Sequence, residues 1–245
     1  MKRFLVLFFL YMFFMPAVPA AADPVSPLQG KVVVVDPGHG GYDPGAVRGG
    51  VYEKDINLQI ALKLKKSLEE KGAVVILTRN GDYNLAIVGL HKREAHRYDL
   101  GKRLEMADQS KAGLFVSIHV NCICNRIHGG AEVFYYPHSE KGKLLAECIQ
   151  AELRSIPGIQ KRIAKTSDCY VLRNARIPAA LVEVGYLSNP GERNNLLNGE
   201  YQALLAEKIS CGIREYFNME KAAILAPGFC IPARKLSRIS YFHGS

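Results

Sequence analysis

The sequence predicts a single α/β domain built on a mainly parallel sheet. Three observations carry that expectation. Short apolar, β-branched runs (Val32–Val35, Val74–Thr78, Leu114–His119 and Ala179–Tyr186) alternate with stretches of helical spacing. The runs show no two-residue period, as expected of strands covered on both faces. The chain has 245 residues and 48% apolar content, enough for one such domain with a full core but short for two.

Val32–Val35 forms the first strand, and Pro37 and Gly38 stop it after Asp36. Gly40-Gly41 permit a tight turn, so His39 is held at the C-terminal end of a central strand, where open α/β sheets place their ligands. The Gly-rich loop that follows lacks the Lys-Ser/Thr of a phosphate-binding loop and the G-x-G-x-x-G spacing of a dinucleotide site. Asp55 caps a helix whose inner face reads Leu58, Ala61, Leu62, the Lys65 stem and Leu68, with Gly72 as its stop. Glu53 therefore falls in the loop just before that helix.

Val74–Thr78 is the second strand, and Asn80-Gly81-Asp82 is a turn. Residues 84–98 carry no clear period. Asp99–Lys111 reads as a helix with Leu100, Leu104 and Ala107 inward. Leu114–His119 is the third strand, and His119 ends it as His39 ends the first. In a parallel sheet those ends share one edge, so the two imidazoles can meet.

Ala131–Tyr136 is a strand and Lys143–Ser155 an amphipathic helix closed by Pro157-Gly158. Residues 159–168 read as a polar surface loop and Cys169–Leu172 as a short strand. In Ala179–Tyr186 a carboxylate, Glu183, interrupts an apolar strand. Burying it unpartnered costs several kcal/mol, which a metal or a functional pocket would explain. Asn198 caps the last helix, with Leu204, Leu205, Ile209, Ile213 and Phe217 on its face.

The ends differ from the body. Lys2 and Arg3, the apolar run Phe4–Met15 and Ala20-Ala21-Ala22 have the layout of a secretory signal, so residues 1–22 are expected to be removed on export. The run falls short of the ~20 residues that span a bilayer; retention as an anchor is the alternative, and the only membrane contact expected. Residues 23–29 read as a linker, 30–217 as the single folded domain and 218–245 as a loosely ordered basic tail. The formal charge is +9, but much of it lies in the two ends, leaving a mildly basic core. No stretch mixes dense Lys/Arg with aromatics, so nucleic acid is not an expected partner. Six cysteines are too sparse to imply a disulfide framework in a chain that can build its own core. Cys122 and Cys124 read as small loop residues, with thiolate ligation of a metal the lesser option.

His39, Glu53, His119 and Glu183 are the residues with chemistry to offer. Two imidazoles and one carboxylate make a common catalytic zinc set that leaves a position open. Glu183 could then serve as general base. Taken singly, either histidine reads equally well as an ordinary hydrogen-bonded strand-end residue, and Glu53 as a solvated loop carboxylate. His91, His96, His128 and His138 lie in polar segments and read as solvated.

Four motifs occur in order: Asp36-Pro37-Gly38-His39-Gly40-Gly41, Glu53-Lys54-Asp55, Ser117-Ile118-His119-Val120-Asn121 and Val182-Glu183-Val184-Gly185-Tyr186-Leu187-Ser188-Asn189. Together they resemble the zinc-dependent N-acetylmuramoyl-L-alanine amidases of the Amidase_3 type, over about Gly30 to Phe217. The resemblance implies a mostly parallel six-stranded sheet flanked by helices on both faces. It implies one zinc ion on His39, Glu53 and His119, with Glu183 catalytic. It also implies peptidoglycan as substrate, cut between the muramic acid lactyl group and L-alanine. The segment from His91 through Leu104 looks most like the spore-cortex, germination-specific amidases. That would place the protein outside the cytoplasm, at the wall or on the cortex side of the forespore membrane, with any activating partner unidentified. Two other functions compete: a zinc carboxypeptidase on stem peptides, with Arg173 or Arg176 for the terminal carboxylate, and a non-catalytic wall-binding protein.

Overall fold

The structure, a computed structural model, describes residues 26–225. The expected signal segment 1–22 and the tail past Leu225 lie outside the described residues. In chain order the elements are β1 (Val32–Pro37), β2 (Val47–Arg48), β3 (Val51–Tyr52), α1 (Glu53–Glu69), β4 (Val74–Leu77), α2 (Lys92–Gln109), β5 (Leu114–Asn121), β6 (Glu132–Tyr135), α3 (Glu140–Leu153), β7 (Lys165–Thr166), α4 (Tyr170–Asn174), β8 (Ala179–Tyr186), α5 (Pro190–Leu197) and α6 (Gly199–Leu225).

Six strands make one sheet in the order β4-β1-β5-β8-β6-β7, and β2 and β3 form a separate hairpin. All neighbouring pairs in the large sheet are parallel except β6 with β8. The α/β class and the mostly parallel six-stranded sheet are therefore as expected. Helices α1, α3 and α6 cover one face, where Val33, Val35, Val116, Ile118 and Val182 pack against Ile56, Ile60, Leu145, Ile149, Ile209 and Ile213. Helices α2 and α4 cover the other, closing over Val34, Phe115 and Ala179 with Leu104, Ala107, Val171 and Leu172. The central strands are buried from both sides, which is why their sequences lack alternation.

Several local readings are corrected. Helix α1 starts at Glu53, not Asp55, and its N-cap, Tyr52, makes no side-chain cap. Its buried stripe is Ile56, Ile60, Ala61, Leu64 and Leu68, while Leu62 is exposed. Helix α2 takes in residues 92–98, and α5 was not foreseen. Cys169–Leu172 is not a strand: Tyr170–Asn174 is helical, and the edge strand β7 lies just before it. Leu28, in the expected linker, is fully buried in the main core. Helix α6 runs two turns past Phe217, with Met219 buried, so residues 218–225 belong to the fold rather than to a tail. Leu204 lies outside its buried stripe. The five described cysteines are all free.

Two buried arginines fix the end of β1. Arg103, from α2, donates through Nη1 to Asp36 Oδ1 and to the Pro37 carbonyl, and through Nη2 to the His39 carbonyl, each at 2.8 Å. Its Nε donates to Asp99 Oδ2 at 2.8 Å. Arg79, just past β4, donates to the carbonyls of Pro37 (2.9 Å), Gly38 (3.0 Å) and Lys54 (2.7 Å). Three consecutive carbonyls of the His39 turn are thus held by guanidinium groups in the protein interior. Burial pushes the Asp36 carboxyl up, but the Arg103 charge and hydrogen bonds from Ser117 and Thr78 hold it below its ordinary value.

Arg103→Met is expected to cost about 3–5 kcal/mol at neutral pH, because it strands Asp36 as an uncompensated buried charge. The parent's Asp36 contribution is full above about pH 4 and is lost as pH falls through the lowered folded pKa. In the variant Asp36 takes up a proton at higher pH, so the gap narrows as the solution is acidified. Urea unfolding at pH 7.5 and pH 4.5 checks both the size and the narrowing.

Candidate metal centre and its carboxylate neighbour

His39 sits at φ +64°, a left-handed conformation uncommon for a residue other than glycine. Such backbone costs ~1–3 kcal/mol and persists where the surroundings over-determine it. Here they do. Arg103 grips the His39 carbonyl, and Gly40 and Asp43 exchange backbone hydrogen bonds of 2.9 and 3.2 Å across the turn. The turn brings Asp43 Oδ2 to 2.8 Å from His39 Nδ1. An ionised carboxylate only accepts, so Nδ1 carries the proton and Nε2 faces Glu53, 3.2 Å from its Oε1.

Glu53 is buried in the first turn of α1, where the helix dipole favours negative charge. Its Oε2 accepts from the Ala46 N–H at 2.8 Å and its Oε1 from the Val120 N–H at 3.1 Å. Asn57, one turn on, adds a longer bond of 3.4 Å to Oε1 and donates to the Gly38 carbonyl. His119 Nδ1 lies 3.0 Å from the same Oε1. The two imidazoles meet edge to face with centroids 5.0 Å apart. One ligand atom each from His39, Glu53 and His119 falls within 4.8 Å of the others, the one such group among the described residues. Cys122 and Cys124 are not part of it.

The electrostatics fit a cation. Burial pulls His39 down, but hydrogen bonds to Asp43 and Glu53 push it up to about 10. Burial pushes Glu53 up, but His119 and His39 hold it far below the carboxylate range. The cluster thus draws positive charge, and protons and a divalent ion compete for the same atoms. The donor set of two nitrogens and one carboxylate oxygen suits zinc.

Glu183 stands beside this cluster. Parallel pairing of β5 with β8 sets it opposite His119, and antiparallel pairing of β6 sets Glu132 on its other side. Its Oε2 is buried with no hydrogen-bond partner among the described residues. Burial raises its carboxyl to about 7, His119 opposes the rise, and Glu53 adds to it. A carboxyl with that affinity can accept and return a proton near neutral pH.

All four candidate residues meet at the C-terminal edge of the sheet. Sequence reasoning missed Asp43, Asn57, Arg79, Arg103, Glu132 and Tyr186, which orient them or flank them. His128, expected in solvent, is half-buried against the Tyr186 ring at 6.3 Å between centroids.

Known proteins share this architecture. A family model described as N-acetylmuramoyl-L-alanine amidase, Amidase_3, matches residues 33–215. The germination-specific N-acetylmuramoyl-L-alanine amidase of Bacillus subtilis is 40% identical over 195 residues, 78% of this chain and 81% of that protein. The structure of the CwlD amidase from Clostridioides difficile, in complex with the GerS lipoprotein, superposes with a TM-score of 0.75 at 38% identity, covering 78% of this chain and all of that one. The amidase AmiC2 of Nostoc punctiforme gives a TM-score of 0.67 at 38% identity over 78% of this chain and 99% of its own. Likeness of that extent, in sequence and in fold together, makes this chain a member of the Amidase_3 family and an N-acetylmuramoyl-L-alanine amidase.

Proposed function

We infer that the enzyme is zinc-dependent, that His39, Glu53 and His119 hold the ion, and that Glu183 is the catalytic carboxylate. The observation that carries this reading is Glu183 Oε2, buried without a partner among the described residues, one strand away from His119. An acceptor left unpaired in that position is free to take a proton during the reaction. Zinc bound there supplies Lewis acidity, polarising a carbonyl and lowering the pKa of water toward ~7. Glu183 takes the proton of the attacking water and returns it to the departing L-alanine nitrogen, which leaves as an amine. Asp43 holds the His39 proton on Nδ1, and the Ala46 and Val120 N–H groups fix the Glu53 carboxylate. The scissile bond is the amide between the muramic acid lactyl group and L-alanine.

The 40% identity to a germination-specific amidase supports a place in spore-cortex remodelling, outside the cytoplasm. The leading charged, apolar and small-residue segment supports export. The CwlD amidase is solved with a lipoprotein bound, which supports a protein partner for this chain too. Arg173 and Arg176, the cations the carboxypeptidase reading would use, are exposed and paired with Asp168 and Asp108, and nothing among the described residues sets them beside Glu183.

Purified peptidoglycan, spore cortex included, provides the test. Incubation with the zinc-loaded protein is expected to release peptides bearing a free L-alanine amine. Release of a terminal amino acid instead would indicate a carboxypeptidase, and absence of any product a binding protein.

A further inference from the structure

The same sheet edge carries a second charged group, one strand beyond Glu183, that the hydrolysis itself does not use. Glu132 opens β6 and is buried. Its Oε2 accepts from the Tyr186 hydroxyl at 2.8 Å, and its Oε1 from Lys165 Nζ at 2.7 Å. Arg162 Nε lies 3.8 Å from the same Oε1 and donates to the Gly129 carbonyl at 2.8 Å. Two cations therefore converge on one carboxylate, with Glu192, whose Oε1 accepts from the Gly130 N–H, also within reach of the Arg162 charge. Lys165 is half-exposed and spends one of its three N–H donors on Glu132. Arg162 directs Nη2 to Gln160, and its Nη1 has no partner among the described residues.

We propose that Arg162 and Lys165, held in place by Glu132, form a subsite for a carboxylate of the departing stem peptide, two or three residues beyond the scissile amide. The inference rests on the amidase reading of the adjoining site. The acidic half of such a substrate is its peptide, whereas the sugar beside the lactyl amide is neutral, so charge assigns the peptide to this side. The reach agrees. Glu132 lies two strand positions from His119, roughly 10 Å at ~4.8 Å per strand. An extended peptide covers ~3.3–3.6 Å per residue, so two to three residues bring a side-chain or α-carboxylate to the two cations. A planar guanidinium beside a mobile ammonium is a suitable pair of donors for a carboxylate. Glu132 fixes both while leaving N–H donors on each to spend.

The test is a binding titration on the zinc-loaded full chain. Two stem tetrapeptides are compared, both amidated at the C-terminus. One has free carboxylates at residues two and three, and the other has them amidated. The free-acid peptide is expected to bind about 10- to 100-fold more tightly, the range for one or two charge-assisted hydrogen bonds. Lys165→Met and Arg162→Met should each erase most of that preference without weakening the amidated peptide, and Lys165→Arg should retain it. Equal binding of the two peptides by the parent overturns the proposal. So does equal weakening of both peptides in the variants, which would mark the cations as mere structural support for Glu132. A carboxylate preference in a protein that releases no peptide from peptidoglycan would leave the subsite standing and remove the amidase reading alone.

Discussion

Glu183→Gln is expected to slow hydrolysis of the muramoyl–alanine amide by about 10³- to 10⁴-fold, while the protein still binds one zinc ion per chain. The size is that of removing a positioned general acid–base group, toward the upper end of the usual range because in the proposed mechanism one carboxylate serves both proton transfers. Zinc should be retained because Glu183 lies outside the proposed ligand group of His39, Glu53 and His119. Stability separates this role from a structural one. In the metal-free chain burial raises the Glu183 carboxyl to about 7, well above its ordinary value of 4.5. The folded state therefore binds this proton more tightly than the unfolded state does. The stability associated with the protonated form is complete below about pH 4.5 and drains as pH rises through about 7. Glutamine never ionises. The metal-free variant should thus match its parent at pH 4.5 and exceed it by about 3 kcal/mol at pH 8. Denaturant melts of both proteins at the two pH values read the difference. Gained stability alongside lost turnover is expected only if the fold tolerates an unpaired buried carboxylate for its chemistry. A variant with near-parental activity would falsify the assignment of Glu183.

What the sequence disclosed follows from which contacts are local. The valines of β1 and the apolar runs of β5 and β8 announce strands buried from both sides, strand ends place His39 and His119 on one edge without coordinates, and Glu183 stands out as the one carboxylate inside an apolar strand. The supports of that edge were hidden because their partners are remote. Asp36 meets Arg103 across 67 residues, and the Gly38 carbonyl meets Arg79 across 41. A buried arginine looks like a surface arginine until the chain folds. In α1 the leucines at 58 and 62 suggested a stripe, but the run Ile56, Ile60, Leu64, Leu68 won the interior. That same turn of the helix puts Glu53 in its first residue rather than in a loop. Residues 92–98 were opaque because that stretch of α2 buries only Ala95, and a largely solvated helix has no apolar period to detect. Cys169–Leu172 failed for the reason short apolar runs often do: four residues fit a strand or one helical turn equally well.

With the proposed ligand set, Gly38→Ala is expected to cost the protein its zinc with little loss of fold. A β-carbon on Gly38 would lie 2.2 Å from His119 Cε1, 2.3 Å from Nε2 and 2.7 Å from Nδ1, so the imidazole and the new methyl cannot coexist. Alanine itself suits the backbone there, since Gly38 is not among the residues with positive φ, so the effect is steric rather than conformational. The backbone has no room to retreat. Gly38 N–H donates to the Ile118 carbonyl at 3.0 Å, and its own carbonyl accepts from Arg79 and Asn57. The ring of His119 must move instead, taking Nδ1 away from Glu53. Groups that merely orient a metal ligand are worth 10- to 100-fold in affinity, so displacing a ligand should weaken zinc binding by more than about 100-fold, comparable to His39→Ala. Gly199→Ala is the control, because a β-carbon there meets nothing within 4 Å and needs no unusual φ. Competition with a zinc chelator gives the affinities, and circular dichroism checks that all three variants remain folded. If Gly38→Ala holds zinc as firmly as the parent, His119 is not a ligand. The two imidazoles would then owe their meeting at Glu53 to packing alone.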